Sequence, residues 1–205
     1  MSDQRQRDAE LLEAWRQGDS SAGEQLFELH AAAIARFFRN KAREDAEELI
    51  QQTFVRLIEG RERLRDGLAF RSFILGIARN VLHEYLRRSS RGRAVDPEVE
   101  SMADLDPGPV TVAGRKQEHR LLLEGLRRLP VEHQVALELF YWEGLNAADI
   151  APIMGVSHSA MRSRLVKARE LLAEAMEAIA TSKQLLESTI NGLDEWASQI
   201  RLALR

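Results

Sequence analysis

The stretch Leu129-Pro-Val-Glu-His-Gln-Val-Ala-Leu-Glu-Leu-Phe-Tyr-Trp-Glu-Gly-Leu-Asn-Ala-Ala-Asp-Ile-Ala-Pro-Ile-Met-Gly-Val-Ser-His-Ser-Ala-Met-Arg-Ser-Arg-Leu-Val-Lys-Ala-Arg169 decides how this chain is read. Gly155 suits a turn, because glycine takes a positive φ without strain. Ser157 can cap a following helix by accepting a hydrogen bond from a free backbone N–H. Beyond it, Met161, Leu165, Ala168 and Leu172 recur at spacings of four, three and four, which makes one buried stripe. Arg162, Ser163, Val166 and Lys167 then point away from that stripe. A short helix, a glycine turn and a capped basic helix make a helix-turn-helix, whose second helix lies in the major groove of DNA. Arg162 and Ser163 stand near the N-terminal end, where base edges are read, and His158 lies at the helix start. Arg164 and Arg169 flank the face and suit phosphates, which fix register without carrying sequence information. A lone helix of this kind could equally be an amphipathic helix with a solvated basic face; the preceding helix and the turn favour DNA. Pro152 is the local feature that opposes a regular motif, since a proline inside a helix removes a backbone hydrogen bond.

Outward from this stretch the pattern is helical. Leu11, Leu12 and Trp15 begin a first helix that ends near Gly18-Asp19. Leu26, Phe27, Leu29, Ile34, Phe37 and Phe38 mark a second. Asp45 to Ile58 reads as a third, with Leu49, Thr53, Phe54 and Leu57 inward. Phe70 to Arg88 reads as a fourth, with Phe73, Ile74, Ile77, Val81, Leu82 and Tyr85 on its apolar side. No period-two pattern of useful length is present. The expected class is therefore all-α, with two small helical domains. The first spans residues 1–90. Residues 91–115 form a flexible acidic linker, marked by Asp96-Pro97 and Asp106-Pro107-Gly108-Pro109, which disfavour helix. The second spans residues 116–176, with helices over 117–128, 131–142, 146–154 and 157–176. Residues 177–205 form a C-terminal helical extension.

Composition narrows the function classes. The chain has 205 residues, 30% of them charged, and a net charge of −3. A weakly acidic average is not a global signature of DNA binding, but the charge is uneven. Basic residues gather at Arg87-Arg88-Ser-Ser-Arg91-Gly-Arg93 and again from Arg162 to Arg169, with acidic residues between them at Asp96, Glu98, Glu100, Asp104 and Asp106. Cysteine is absent, which excludes disulfides and thiolate metal sites and fits a reducing cytoplasm. No apolar run approaches the roughly 20 residues of a membrane span, and no signal-peptide core follows the N-terminus, so a cytoplasmic protein with no membrane contact of its own is expected. The five histidines, His30, His83, His119, His133 and His158, have no ligand spacing. No phosphate-binding glycine loop, nucleophile elbow or paired carboxylate is found, so no catalytic residue, metal or cofactor is expected.

Three motifs in this order resemble the extracytoplasmic-function (ECF) group of bacterial sigma factors, of the sigma-70 family, over about residues 9–176. Asp45-Ala-Glu-Glu-Leu-Ile-Gln-Gln-Thr-Phe54 is similar to the helix of region 2.2 that binds core polymerase. Phe70-Arg-Ser-Phe-Ile-Leu-Gly-Ile-Ala-Arg-Asn80 with Tyr85-Leu-Arg-Arg88 is similar to regions 2.3 and 2.4, which read the −10 promoter element. Leu129 to Arg169 is similar to region 4, which reads the −35 element. The resemblance implies that Glu47, Glu48, Gln51 and Gln52 dock on the β′ clamp of core RNA polymerase. On its own, such a polar face is more often simply solvated. It implies that Arg65, Gly67, Arg79, Asn80, Glu84, Arg87, Arg88 and Arg91 contact −10 DNA, with the loop over residues 64–69 capturing an unstacked base. A basic helix end also suits the helix dipole without any ligand. Ser157, His158, Arg162, Ser163, Arg164, Val166, Lys167 and Arg169 become the −35 contacts. The acidic linker would thread the polymerase channel. The family often has a cognate anti-sigma factor, so the implied partners are core polymerase, promoter DNA and an anti-sigma factor.

The chain departs from the family at several places. Glu48 and Gln52 replace the usual Asp and Glu, Phe73 the common Trp, Ala160-Met161 the usual Thr-Val, and Asp149 a Glu. Phe73 is read as core. The extension repeats Leu186, Ile190, Leu193, Ala197, Ile200 and Leu204 at alternating four and three, a heptad-like seam with Trp196 beside it. It is expected either to pack on the chain's own domains or to clamp them or receive a partner. Two rivals are an autonomous helix-turn-helix regulator with a dimerising N-terminal bundle, and a helical anti-sigma or decoy interaction protein.

Overall fold

The computed structural model describes residues 2–64, 67–89, 94–105, 117–193 and 195. Among the described residues ten α-helices follow one another, and no strand occurs beyond a single bridge between Ser101 and Pro130. Four make the first group: α1 (Ser2–Arg16), α2 (Ser20–Arg39), α3 (Ala46–Gly60) and α4 (Phe70–Ser89). The turn between α1 and α2 forms because the Asp19 side chain accepts from the backbone N–H groups of Ser21 and Ala22, which would otherwise be orphans.

Helix α4 sits at the centre. Ile74, Leu75, Ala78, Val81, Leu82 and Leu86 are buried, while Phe73, Ile77 and Tyr85 are half-buried. The buried stripe is therefore wider than the sequence pattern suggested and includes Leu75, Ala78 and Leu86. The reason is that α4 packs on two sides, against α1, α2 and α3 on one and against α8 on the other. A helix packed on two sides shows a weaker amphipathic period than one packed on a single face.

The second group is α6 (Gln117–Arg127), α7 (Val131–Tyr141), α8 (Ala147–Met154) and α9 (His158–Ile179). Met161, Leu165, Ala168, Leu172 and Met176 of α9 are all buried, against α6, α7 and α8. Pro152 falls in the last turn of the eight-residue α8, so the proline costs one ladder position and the helix persists. Asn146 caps α8 through Ala148 and Asp149 N–H groups, and Gly155 closes it at φ 68°, a left-handed conformation that favours glycine.

Residues 94–105 lie against this second group. Val131 N–H donates to Glu100 O (3.0 Å) and Glu132 N–H to Pro97 O (3.0 Å), so the segment satisfies the orphan donors at the start of α7. It ends in a single turn, α5 (Met102–Leu105), with Met102 fully buried. This part of the expected linker is thus docked rather than free chain; residues 106–116 fall outside the described set. The two groups pack into one continuous apolar cluster.

Past α9, a serine-capped helix, α10 (Lys183–Asn191), rests on α6 and touches α9. Leu185, Leu186 and Leu193 pack on the core, whereas Ile190 is exposed, so the heptad-like seam is not buried as one stripe. Gly192 ends α10. Ala197, Ile200, Leu204 and Trp196 lie outside the described residues. No helix among the described residues is long and apolar enough to cross a membrane.

Candidate nucleic-acid and polymerase interfaces

The outer face of α3 carries the first candidate surface. Glu47, Glu48 and Gln51 are exposed, and Gln52 is half-buried. Gln52 donates to Glu48 (2.7 Å) and accepts from Arg88 of α4 (3.3 Å). Two apolar side chains that sequence reading did not single out lie on the same helix, Val55 and Ile58, exposed at 53% and 43%. Together with the exposed Glu and Gln they give this helix a mixed polar and apolar surface. The signal was present in the sequence as apolar residues out of register with Leu49, Thr53 and Leu57.

The strip on α4 divides into two sides. Toward its C-terminal end, Glu84 forms a bidentate pair with Arg56 of α3 (2.7 and 2.6 Å). This pairing holds the Glu84 carboxyl below its ordinary value, chiefly through the hydrogen bonds from Arg56. Arg87 and Arg88 are exposed beside it. Toward the second group, Arg79 is largely covered and donates to both oxygens of Glu132 on α7 (3.1 Å each). Asn80 is exposed at the mouth of a cleft of about 780 Å³ between α1, α4 and α8. Gly67 packs on α1 so closely that a Cβ would come within 2.8 Å of the Ala9 backbone, so its lack of a side chain serves that approach. Arg65 and Arg91 lie outside the described residues.

Helix α9 presents the third surface. Ser157 accepts from Ala160 N–H (3.2 Å), as its cap position requires. His158, Arg162, Ser163, Val166 and Lys167 are exposed together on one side. Arg164 and Arg169 are half-buried and already engaged. Arg164 pairs with Glu98 (2.7 Å) and Glu132 (3.4 Å). Arg169 donates to the Tyr141 hydroxyl (3.0 Å) and lies over the Phe140 ring.

Three glutamates that sequence reading missed join the two helical groups. Glu132 is 1% exposed and receives Arg79, Arg164 and His83, whose Nε2 lies 2.5 Å away. Glu138 is 3% exposed, pairs with the fully buried Lys41, and accepts from Asn40 (3.2 Å) and Gln134 (2.8 Å). Glu143 accepts from Arg36 (2.8 and 3.0 Å) and Arg71 (2.6 Å). Burial alone would raise the carboxyls of Glu132 and Glu143. The facing groups outweigh it, a hydrogen bond from His83 and the Arg79 guanidinium for one and Arg36 and Arg71 for the other, and both carboxyls are held below the ordinary value. The available signal was chemical: Glu132 and Glu138 lie in the largely apolar α7 and Glu143 just past its end, and carboxylates in such a stretch imply buried partners.

Comparison with known proteins gives a consistent likeness. The description "Sigma-70 region 2" matches residues 26–92 and "Sigma-70, region 4" matches residues 119–172. The chain is 31% identical to the RNA polymerase sigma factor CarQ of Myxococcus xanthus, over 80% of this chain and 96% of CarQ. It is 30% identical to the ECF RNA polymerase sigma factor SigM of Mycobacterium tuberculosis, over 85% of this chain and 87% of SigM. A shorter match, 31% over 128 residues, spans 60% of this chain and 32% of RfaY from Xanthomonas campestris. The fold is similar to that of the Bartonella quintana sigma factor RpoE, solved in complex with the anti-sigma factor NepR, with a TM-score of 0.58 and 20% identity over 77% of this chain and 98% of that one.

Proposed function

This chain belongs to the sigma-70 family, in its ECF group, and from that premise we propose that it is a dissociable specificity subunit which binds core RNA polymerase and directs initiation at promoters with −10 and −35 elements. The observation that carries the reading is the pairing of two helical units at the family's spacing. One has a polar and apolar outer face on α3, and the other a capped, basic, exposed recognition face on α9.

The roles divide by chemistry. The first unit covers residues 1–90. Glu47, Glu48, Gln51 and Gln52, with Val55 and Ile58, supply the polymerase-facing surface. Arg79, Asn80, Arg87 and Arg88 supply the −10 contacts, with Glu84 holding Arg56 in place beside them. Asn can bond an adenine edge, and Arg the phosphates or a guanine. The second unit covers residues 116–176, and His158, Arg162, Ser163, Val166 and Lys167 of its recognition helix face the groove. The protein acts in the cytoplasm as a regulatory subunit without an active site of its own. With a net charge of −3, the free chain gains little from phosphate neutralisation, and promoter affinity arises in the complex with core. An anti-sigma factor is a fitting partner for such a protein.

Size-exclusion chromatography with purified bacterial core polymerase tests this reading. Co-elution as a one-to-one complex is expected, with charge reversal at Glu47 and Glu48 removing it. Migration of the two components apart would overturn it.

A further inference from the structure

Helix α10 packs on α6 and α9 of the second unit, and its hold there is light. We propose that the groove it covers is a docking surface for an amphipathic helix of core polymerase, and that α10 is the tethered occupant which such a helix displaces. The inference rests on the sigma-factor reading above.

The groove and its occupant are built differently. The floor is Leu122 and Leu126 of α6, Leu137 of α7, Trp142 just past its end and Leu172 of α9, each at most 3% exposed. Gly125 lets α6 and α9 close on one another, since a Cβ there would come within 2.7 Å of the Met176 side chain. Within α10, by contrast, Thr189 alone is fully buried, and it spends its hydroxyl on the Leu185 carbonyl of its own helix (2.7 Å). Leu185, Leu186 and Leu193 are half-buried and Ile190 is 42% exposed, although Leu193 reaches the groove and lines one cavity with its floor. A helix of nine residues is marginal on its own in water, so α10 stays helical only while docked. Few buried apolar contacts place it among the segments that open first. A dissociable subunit has a free state, in which an apolar groove needs a cover, and a bound state, in which the partner supplies a better one. That partner is core polymerase, because the free chain, at a net charge of −3, relies on core to place its second unit on DNA.

The tail then lowers apparent core affinity in proportion to the scarcity of the uncovered form. Hydrogen exchange of the full chain, with and without core polymerase, tests this. Amides of α10 should exchange faster once core is added, while those of α6 stay protected. Leu186→Asp with Leu193→Asp leaves the groove floor intact and should tighten core binding about tenfold, the gain expected when about one free chain in ten is uncovered. A synthetic peptide of residues 181–205 should bind this variant and reverse the gain, and the same peptide carrying both aspartates should not. Thr189→Val removes the buried hydroxyl at nearly constant shape, and should slow exchange of α10 and weaken core binding. Circular dichroism and a thermal melt verify that the variants fold. If the double variant does not, Thr189→Val carries the test in the opposite direction. Unchanged α10 exchange on adding core, or folded variants that bind core as the wild type does, would overturn the proposal. A chain that binds core in none of these forms would instead overturn the sigma-factor reading.

Discussion

Helices α4 and α9 carry the two candidate DNA-reading strips, and the structure treats them oppositely. On α9, His158, Arg162, Ser163, Val166 and Lys167 are exposed together, and the buried stripe lies on the far side. On α4, Arg79 is covered by α7 and Asn80 opens only onto the cleft beside α8. The difference teaches that presentation and composition are separate properties. Both strips are basic, but α9 spends its apolar face within one unit, whereas α4 is packed from two sides and its Arg79 is drawn into the contact while Arg87 and Arg88 stay exposed.

The largest expected effect breaks the comparison outright. Glu132 and Glu143 are held below their ordinary values by their cations. A carboxylate depressed in the folded state contributes stability above its unfolded value of about 4.3 and loses it as pH falls through the folded one. The contact between the two units should therefore persist at neutral and mildly acidic pH and break only below the ordinary carboxylate range. Small-angle scattering followed during acid titration checks this, and expansion already between pH 6 and 7 would contradict it.

Leu172→Ala attacks the other side of the comparison, the anchoring of α9. Leu172 is 1% exposed among α6 and α7 residues, and its truncation should cost about 2–5 kcal/mol in a denaturant melt. A smaller effect sharpens the contrast. Arg162→Ala should weaken binding of the polymerase complex to promoter DNA by about 1–3 kcal/mol while leaving the thermal melt of the free protein unchanged, since Arg162 faces outward. Smallest is Ser157→Ala, which removes the cap of α9 and should cost about 1 kcal/mol of stability.

Much of this architecture can be read in the sequence. The four-residue and three-residue spacing of Met161, Leu165, Ala168 and Leu172 places α9, and Gly155 and Ser157 place its turn, because caps and left-handed turns depend on local chemistry. Pro152 misleads in the other direction, since a proline near the end of a short helix forfeits little. The pairing of the units is not legible, because Glu132 and Arg79 are 53 residues apart and nothing local links them. Leu75, Ala78 and Leu86 are missed for the same reason: α4 is packed on more than one side, and a single-face period does not reveal the second. The segment over residues 94–105 reads as linker by composition, and it is its backbone carbonyls, invisible to any side-chain pattern, that dock it on α7.

Transcription in vitro tests the central claim most directly. Purified chain and core polymerase would be incubated with sheared genomic DNA and the 5′ ends of the RNA mapped. The account predicts discrete start sites that share two upstream elements and disappear when the chain is omitted. Core polymerase that gives the same RNA ends with and without the chain would contradict it.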